Sequence, residues 1–243
     1  MLNDRVALVT HVAHFVGRPA AVELAVQGAT VLCHDDGFVD PEARDRFAAD
    51  HPGLEPLAEQ TPDDIAAAVE RRHERIDILV HNDAFPAIRA PVDDARIDDM
   101  RAGLEALVTR PFALTGAVVP MMKRARRGKI VFVTSAAPLR GLPNYAMYVA
   151  ARGAANALAL SLAKELAPFD IQVNALAPNF VESPTYFPES LLADPEARKK
   201  IVGNVPLGRL ARPDEAAAAI AFLASDRSGF ITGTVLPFAG GWA

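Results

Sequence analysis

The chain has 243 residues, about half of them apolar, and 25 basic against 30 acidic side chains give a net charge of −5. Length and apolar content suit one α/β domain with a large core, and the acidic balance gives no reason to expect a nucleic-acid partner. One cysteine excludes an internal disulfide, the six histidines show no metal-ligand spacing, and no signal peptide or long apolar run is evident; the expectation is a soluble, cytoplasmic protein without a membrane partner.

In chain order, a strand over 6–9 leads through a turn into a helix over 18–27 and a second strand over 30–34. Strand–turn–helix–strand is the frame of a dinucleotide site, whose glycine-rich turn lets bare backbone approach a pyrophosphate. Here the turn reads Thr10-His11-Val12-Ala13-His14-Phe15-Val16-Gly17, with one glycine at its end. Side chains on His11 and Phe15 obstruct that approach, and Pro19 removes a backbone donor near the helix start. Asp35 and Asp36 follow the second strand where a ribose-binding acid would sit; with the turn blocked they read as surface or capping residues. Cys33 reads as a buried strand residue.

A helix over 62–74, a strand over 76–81 and a long helix over 97–126 follow. The basic cluster Lys123, Arg124, Arg126 and Arg127 closes that helix, where cations meet the negative end of its dipole. A strand over 129–134, a helix over 145–167, a strand over 171–177, a helix over 214–225 and a strand over 235–238 complete the pattern. Apolar strands alternating with helices predict a single Rossmann-like domain over 1–243. It is a doubly wound parallel sheet with helices on both faces. Ligands of such sheets bind beyond the carboxyl ends of the strands, so the residues after each strand carry the functional interest.

Ser135 ends the strand over 129–134. Tyr148 lies in the next helix and Arg152 follows four residues later, which puts phenol and guanidinium on one helix face. A fixed positive charge beside a phenol favours the phenolate, and such a tyrosine can serve as a general base. Tyr145 lacks this partner, because Val149 stands four residues after it. Taken alone, a tyrosine–arginine pair on a helix is usually a surface contact.

With "HNDA" at 81–84, "VNALAP" at 173–178 and the closing segment over 208–241, the chain resembles the short-chain dehydrogenase/reductase superfamily over nearly its whole length. The superfamily's serine and tyrosine match Ser135 and Tyr148. Its lysine is replaced by Arg152, its glycine turn by residues 11–17, and its catalytic asparagine by Leu107. In all these departures the chain is similar to one branch, the halohydrin dehalogenases; "HFVG" at 14–17, "CHDD" at 33–36, "RPFAL" at 110–114 and "APNFVESPTYFP" at 177–188 extend the likeness.

The resemblance implies a Ser135–Tyr148–Arg152 triad, no nicotinamide or other cofactor, and a halide pocket in the place of the nicotinamide. The implied substrates are a small haloalcohol, or in reverse an epoxide with a halide or other small anionic nucleophile. Ser135 would position the substrate hydroxyl, Tyr148 would take its proton, and Arg152 would hold the tyrosine ready. The halide is placed against Pro178, Asn179, Phe180 and Val181, the ring of Phe15 and, as a further wall, Phe187, because aromatic edges suit a polarisable anion. Ordinary core packing is the alternative for Phe15 and Phe180. Thr134 reads as a structural strand end, and Asn82 and Asn174 as backbone-bonding. The resemblance also implies a homotetramer built on helices 97–126 and 145–167. Two readings compete: an NAD(P)-dependent oxidoreductase with an atypical turn, and a catalytically inactive relative. Loops 85–96, 136–146 and 182–195 shape the pocket.

Overall fold

The computed structural model describes residues 2–183 and 186–243. Its strands are β1 (Val6–Val9), β2 (Thr30–Cys33), β3 (Leu54–Pro56), β4 (Ile78–His81), β5 (Gly128–Val133), β6 (Ile171–Pro178) and β7 (Val235–Phe238). They form one parallel sheet in the order β3-β2-β1-β4-β5-β6-β7. The helices are α1 (Gly17–Val26), α2 (Pro41–Asp50), α3 (Pro62–His73), α4 (Ile97–Leu104), α5 (Arg110–Ala125), α6 (Ala146–Leu166), α7 (Glu189–Leu192), α8 (Pro195–Val202) and α9 (Pro213–Ala224).

Every position of β1, β4 and β5 is buried, which is why these strands read as largely apolar runs, broken only by Lys129 in β5 and His81 at the end of β4. Two cores sandwich the sheet. On one face Ala20, Ala21 and Leu24 of α1 meet Ile220 and Ala221 of α9 over Val9 and Val31. On the other, Ile65, Val69, Val118, Met122 and Leu162 from α3, α5 and α6 pack over Leu8, Leu79 and Ile130. Winding reverses between β1 and β4, so the crevice of such a fold opens beyond the carboxyl ends of these central strands.

Apolar periodicity does not announce α2 and β3. No residue of α2 is fully buried; the helix is started instead by Pro41 and by the Asp40 carboxylate, which accepts from Glu42 N–H at 3.0 Å. β3 is a three-residue edge strand ending in a proline, which an edge tolerates. The helix expected over 97–126 is interrupted by a π-helical turn at Glu105–Thr109. Pro111 offers no N–H to the Leu107 carbonyl, so the regular ladder fails at that step. By length and composition Ile97–Ala125 is apolar enough to cross a membrane, contrary to the expectation of no such run. Leu114, Val118 and Met122 nevertheless point from it into the core.

Candidate active site

The end of β5 and the first turns of α6 bring the three expected residues together. Ser135 is buried two residues beyond β5, and its Oγ accepts from Ala137 N–H at 3.1 Å. That leaves the serine O–H to donate elsewhere. Tyr148 is half-buried on the first turn of α6, and Arg152, one turn on, is 3% exposed. Arg152 Nε donates to Tyr148 Oη at 3.3 Å, Nη1 to the Val133 carbonyl at 3.2 Å, and Nη2 to Tyr186 Oη at 3.0 Å. Among the described residues no carboxylate pairs with this guanidinium. Burial alone would disfavour its charge, but the two phenols outweigh burial and hold it protonated.

Ser135 and Tyr148 open onto a cavity of about 710 Å³. All six residues expected at the halide, Phe15, Pro178, Asn179, Phe180, Val181 and Phe187, line the same cavity. Phe15 and Phe180 are half-buried and line the cavity, Phe15 packing against the core as well, and both adopt the left-handed backbone conformation, with φ of 45° and 58°. A bulky residue there is strained, and such strain tends to collect at functional sites. The Phe180 ring stacks on Phe187 with centroids 5.7 Å apart and meets Trp242 edge-on at 5.6 Å. Of the loop amides, Asn179 N–H donates to the Phe238 carbonyl and Phe180 N–H to Asn179 Oδ1. Thr134 also faces the cavity, but its hydroxyl is spent on the Leu176 carbonyl, a structural role.

Sequence reasoning missed Tyr186 and Trp242. The Tyr186 ring stands perpendicular to Phe15 at 5.2 Å, and its hydroxyl donates to the Phe85 carbonyl at 3.1 Å. Burial, opposed by the Arg152 charge, pushes its phenol up to about 12. No spacing rule links residues 152 and 186; only the loop after β6, folded back over the cavity, joins them. Pro184 and Thr185 of that segment lie outside the described residues.

The turn after β1 is filled from within. Asp35 turns its carboxylate inward, accepting from Ala13 N–H at 2.9 Å while capping Gly37 N–H at 3.0 Å. Asp36 lies at the surface, 3.0 Å from Arg110. His11, also left-handed with φ 45°, lies 3.0 Å from the buried Asp83, whose other oxygen is 3.4 Å from His81. Asn82 Nδ2 donates to the carbonyls of both His11 and His14, and Asn174 Nδ2 to that of Ile231, the expected backbone roles. The cleft left between His11, His34, Asp83 and Arg110 measures about 20 Å³. A water needs roughly 10–15 Å³, so this space is on the scale of one water rather than a nucleotide.

A family model described as enoyl-(acyl carrier protein) reductase matches residues 12–243. The chain belongs to the short-chain dehydrogenase/reductase family. Family relatives include the 3-oxoacyl-(acyl-carrier-protein) reductase FabG of Thermotoga maritima, 33% identical across 99% of this chain and 98% of that protein. Among solved structures, one described as a dehalogenation enzyme is 51% identical, with both chains covered in full and a TM-score of 0.98. The halohydrin dehalogenase HheC bound to ethyl (2S)-oxiran-2-ylacetate is 39% identical over 97% of this chain and 96% of its own, with a TM-score of 0.94.

Proposed function

We propose that the protein is a halohydrin dehalogenase, a cofactor-independent lyase that converts vicinal haloalcohols to epoxides with release of halide and a proton. In reverse it opens epoxides with small anions such as halide, azide, cyanide or nitrite. The observation that carries this reading is Arg152: a buried cation with no carboxylate partner among the described residues, bonded to Tyr148 at the wall of an aromatic cavity. The likeness to a dehalogenation enzyme and to HheC supports it.

In this mechanism the Ser135 O–H donates to the substrate hydroxyl oxygen. Tyr148 oxygen takes the hydroxyl proton, and Arg152 is the counter-ion for the negative charge the tyrosine carries. The alkoxide electron pair forms the new carbon–oxygen bond on the neighbouring carbon, while the carbon–halogen pair leaves as halide. Ring closure needs oxygen and halogen anti, so holding the substrate between Ser135 and the aromatic wall is itself catalytic; orientation of this kind contributes up to ~7–11 kcal/mol. The leaving halide is placed against the rings of Phe15, Phe180 and Phe187 and the residues Pro178, Asn179 and Val181 that line the cavity with them; the Asn179 N–H is already given to the Phe238 carbonyl, so the aromatic wall carries the stabilisation.

An NAD(P)-dependent oxidoreductase is the second reading, favoured by relatives such as FabG. Against it stand the filled turn and an Ala13 N–H already committed to Asp35. Halide release from a chlorinated or brominated alcohol, with and without NADH or NADPH, separates lyase, oxidoreductase and inactive relative. We also propose one domain over 1–243, a cytoplasmic location and a homotetramer. Exposed Ile97, Phe112 and Leu160 on α4, α5 and α6 suit the tetramer's helix-paired interface.

A further inference from the structure

We propose that Tyr186 is a positioning residue of this site, holding the outer arm of the Arg152 guanidinium so that its inner edge stays on Tyr148. The proposal rests on Tyr148 being the base. Arg152 has three hydrogen-bonded arms, and each fixes a different side: Nη1 on the end of β5, Nε on Tyr148, Nη2 on Tyr186. The Tyr148 contact, at 3.3 Å, is the longest of the three. It depends on the other two to set the plane of the guanidinium.

Tyr186 is itself anchored. Its proton goes to the Phe85 carbonyl at 3.1 Å, and its amide N–H donates to Ser183 Oγ at 3.1 Å. A phenolate at Tyr186 would lose the first bond and face a carbonyl oxygen, so this phenol stays neutral while sharing the cation. The two tyrosines on Arg152 are thereby distinguished: one is pinned as a proton donor to the protein, and the other opens to the cavity with its proton position free for chemistry. The remaining charged or titratable groups lining the cavity are Tyr145 at the start of α6, Arg89 from the loop after β4 and Lys200 of α8; no carboxylate is among them. Without the Tyr186 hydroxyl, Nη2 is a buried donor lacking its partner. It then swings toward the freed Phe85 carbonyl and away from Tyr148.

Because the chain has three tyrosines, phenolate formation can be followed by ultraviolet absorbance. In a Tyr145→Phe background only Tyr148 and Tyr186 remain. Adding Tyr186→Phe should remove the late step and move the Tyr148 step to higher pH by about half a unit or more, as expected when a cation retreats from a phenol. In activity, Tyr186→Phe should lower kcat about tenfold with KM changed less than about twofold, and shift the acid limb of the pH profile the same way. The Phe ring preserves packing on Phe15, and circular dichroism checks the fold. An unmoved Tyr148 step, or a raised KM with unchanged kcat and pH limb, overturns the positioning role and leaves only a wall residue. Full activity in Tyr148→Phe would instead remove the base assignment on which the proposal stands.

Discussion

Arg152 is a buried cation whose acceptors are two phenols and a carbonyl, and this governs what substitution there does. Lysine keeps the charge but has no planar fork to reach three acceptors at once. Arg152→Lys is therefore expected to be a poor dehalogenase. Tyr148→Phe should lower the rate by about 10²–10⁴, the usual contribution of a general base, with the fold intact, whereas Tyr145→Phe retains much of the activity. Initial-rate halide release checks all three; equal loss in both tyrosine variants would reassign the base. A second prediction concerns pH. Burial alone would lower the pKa of His11, but the hydrogen bond and charge of Asp83, with Asp36, raise it. Burial alone would raise Asp83, but His11 and His81 hold it well below the usual carboxylate range. A raised histidine contributes stability that is full below its unfolded pKa of about 6.5 and is lost as pH rises through the folded value. A depressed aspartate contributes stability present above about 3.9 and lost as pH falls through its folded value. From this pair, stability to urea is greatest between the two windows, and His11→Gln should flatten the alkaline slope; an unchanged slope would show that His11 is not charged against Asp83.

The turn between β1 and α1 is an element where propensity yields to the site. His11 and Phe15 both sit in left-handed backbone, which glycine would occupy without strain. Gly17 must stay glycine for space: an added Cβ would come within 2.7 Å of Asn82 Nδ2 and 2.8 Å of the His11 carbonyl. Gly17→Ala should thus lower the thermal midpoint and weaken bromide inhibition together, since the displaced turn carries Phe15. Replacing His11 and Phe15 by glycine should weaken bromide inhibition without conferring nicotinamide-dependent oxidation, because Arg152 and Leu107 remain; unchanged bromide inhibition in the folded variant would take Phe15 out of the halide site. The long buried strands and α1, α3, α6 and α9 were legible because burial on one or both faces leaves an apolar period. The polar α2 leaves none, and the expected helix over 97–126 holds two prolines, of which Pro111 coincides with the π-helical turn while Pro120 stays within regular α5, so proline position alone does not locate the turn. The Tyr148–Arg152 pair was legible through a four-residue helical spacing after a strand end, but that spacing alone reads as a surface contact, and the triad with Ser135 came from the family resemblance. Tyr186 and the Asp83 pairings were not, since they join residues far apart in the chain through loops that no local rule builds.

At the scale of the whole molecule, six of the thirteen large exposed apolar residues among the described ones lie on two sets of elements. Ile97, Phe112 and Leu160 mark the face of α4, α5 and α6, while Phe222, Phe230 and Leu236 mark α9 and the β7 edge of the sheet. Two faces are what a dimer of dimers requires. Light scattering at micromolar concentration should give four times the 25.9 kDa chain mass, and a monomer mass would exclude the tetramer. The account's central claim is that a dehydrogenase frame here runs a reaction with no hydride carrier. The direct measurement is halide and proton release from a vicinal bromo- or chloroalcohol by the purified protein in the absence of any nicotinamide, alongside fluorescence titration with NADH and NADPH. The account predicts halide and protons released one for one, epoxide formed, and no nicotinamide bound. Tight NADH binding, with no halide released until a nicotinamide is added or none released at all, would contradict it.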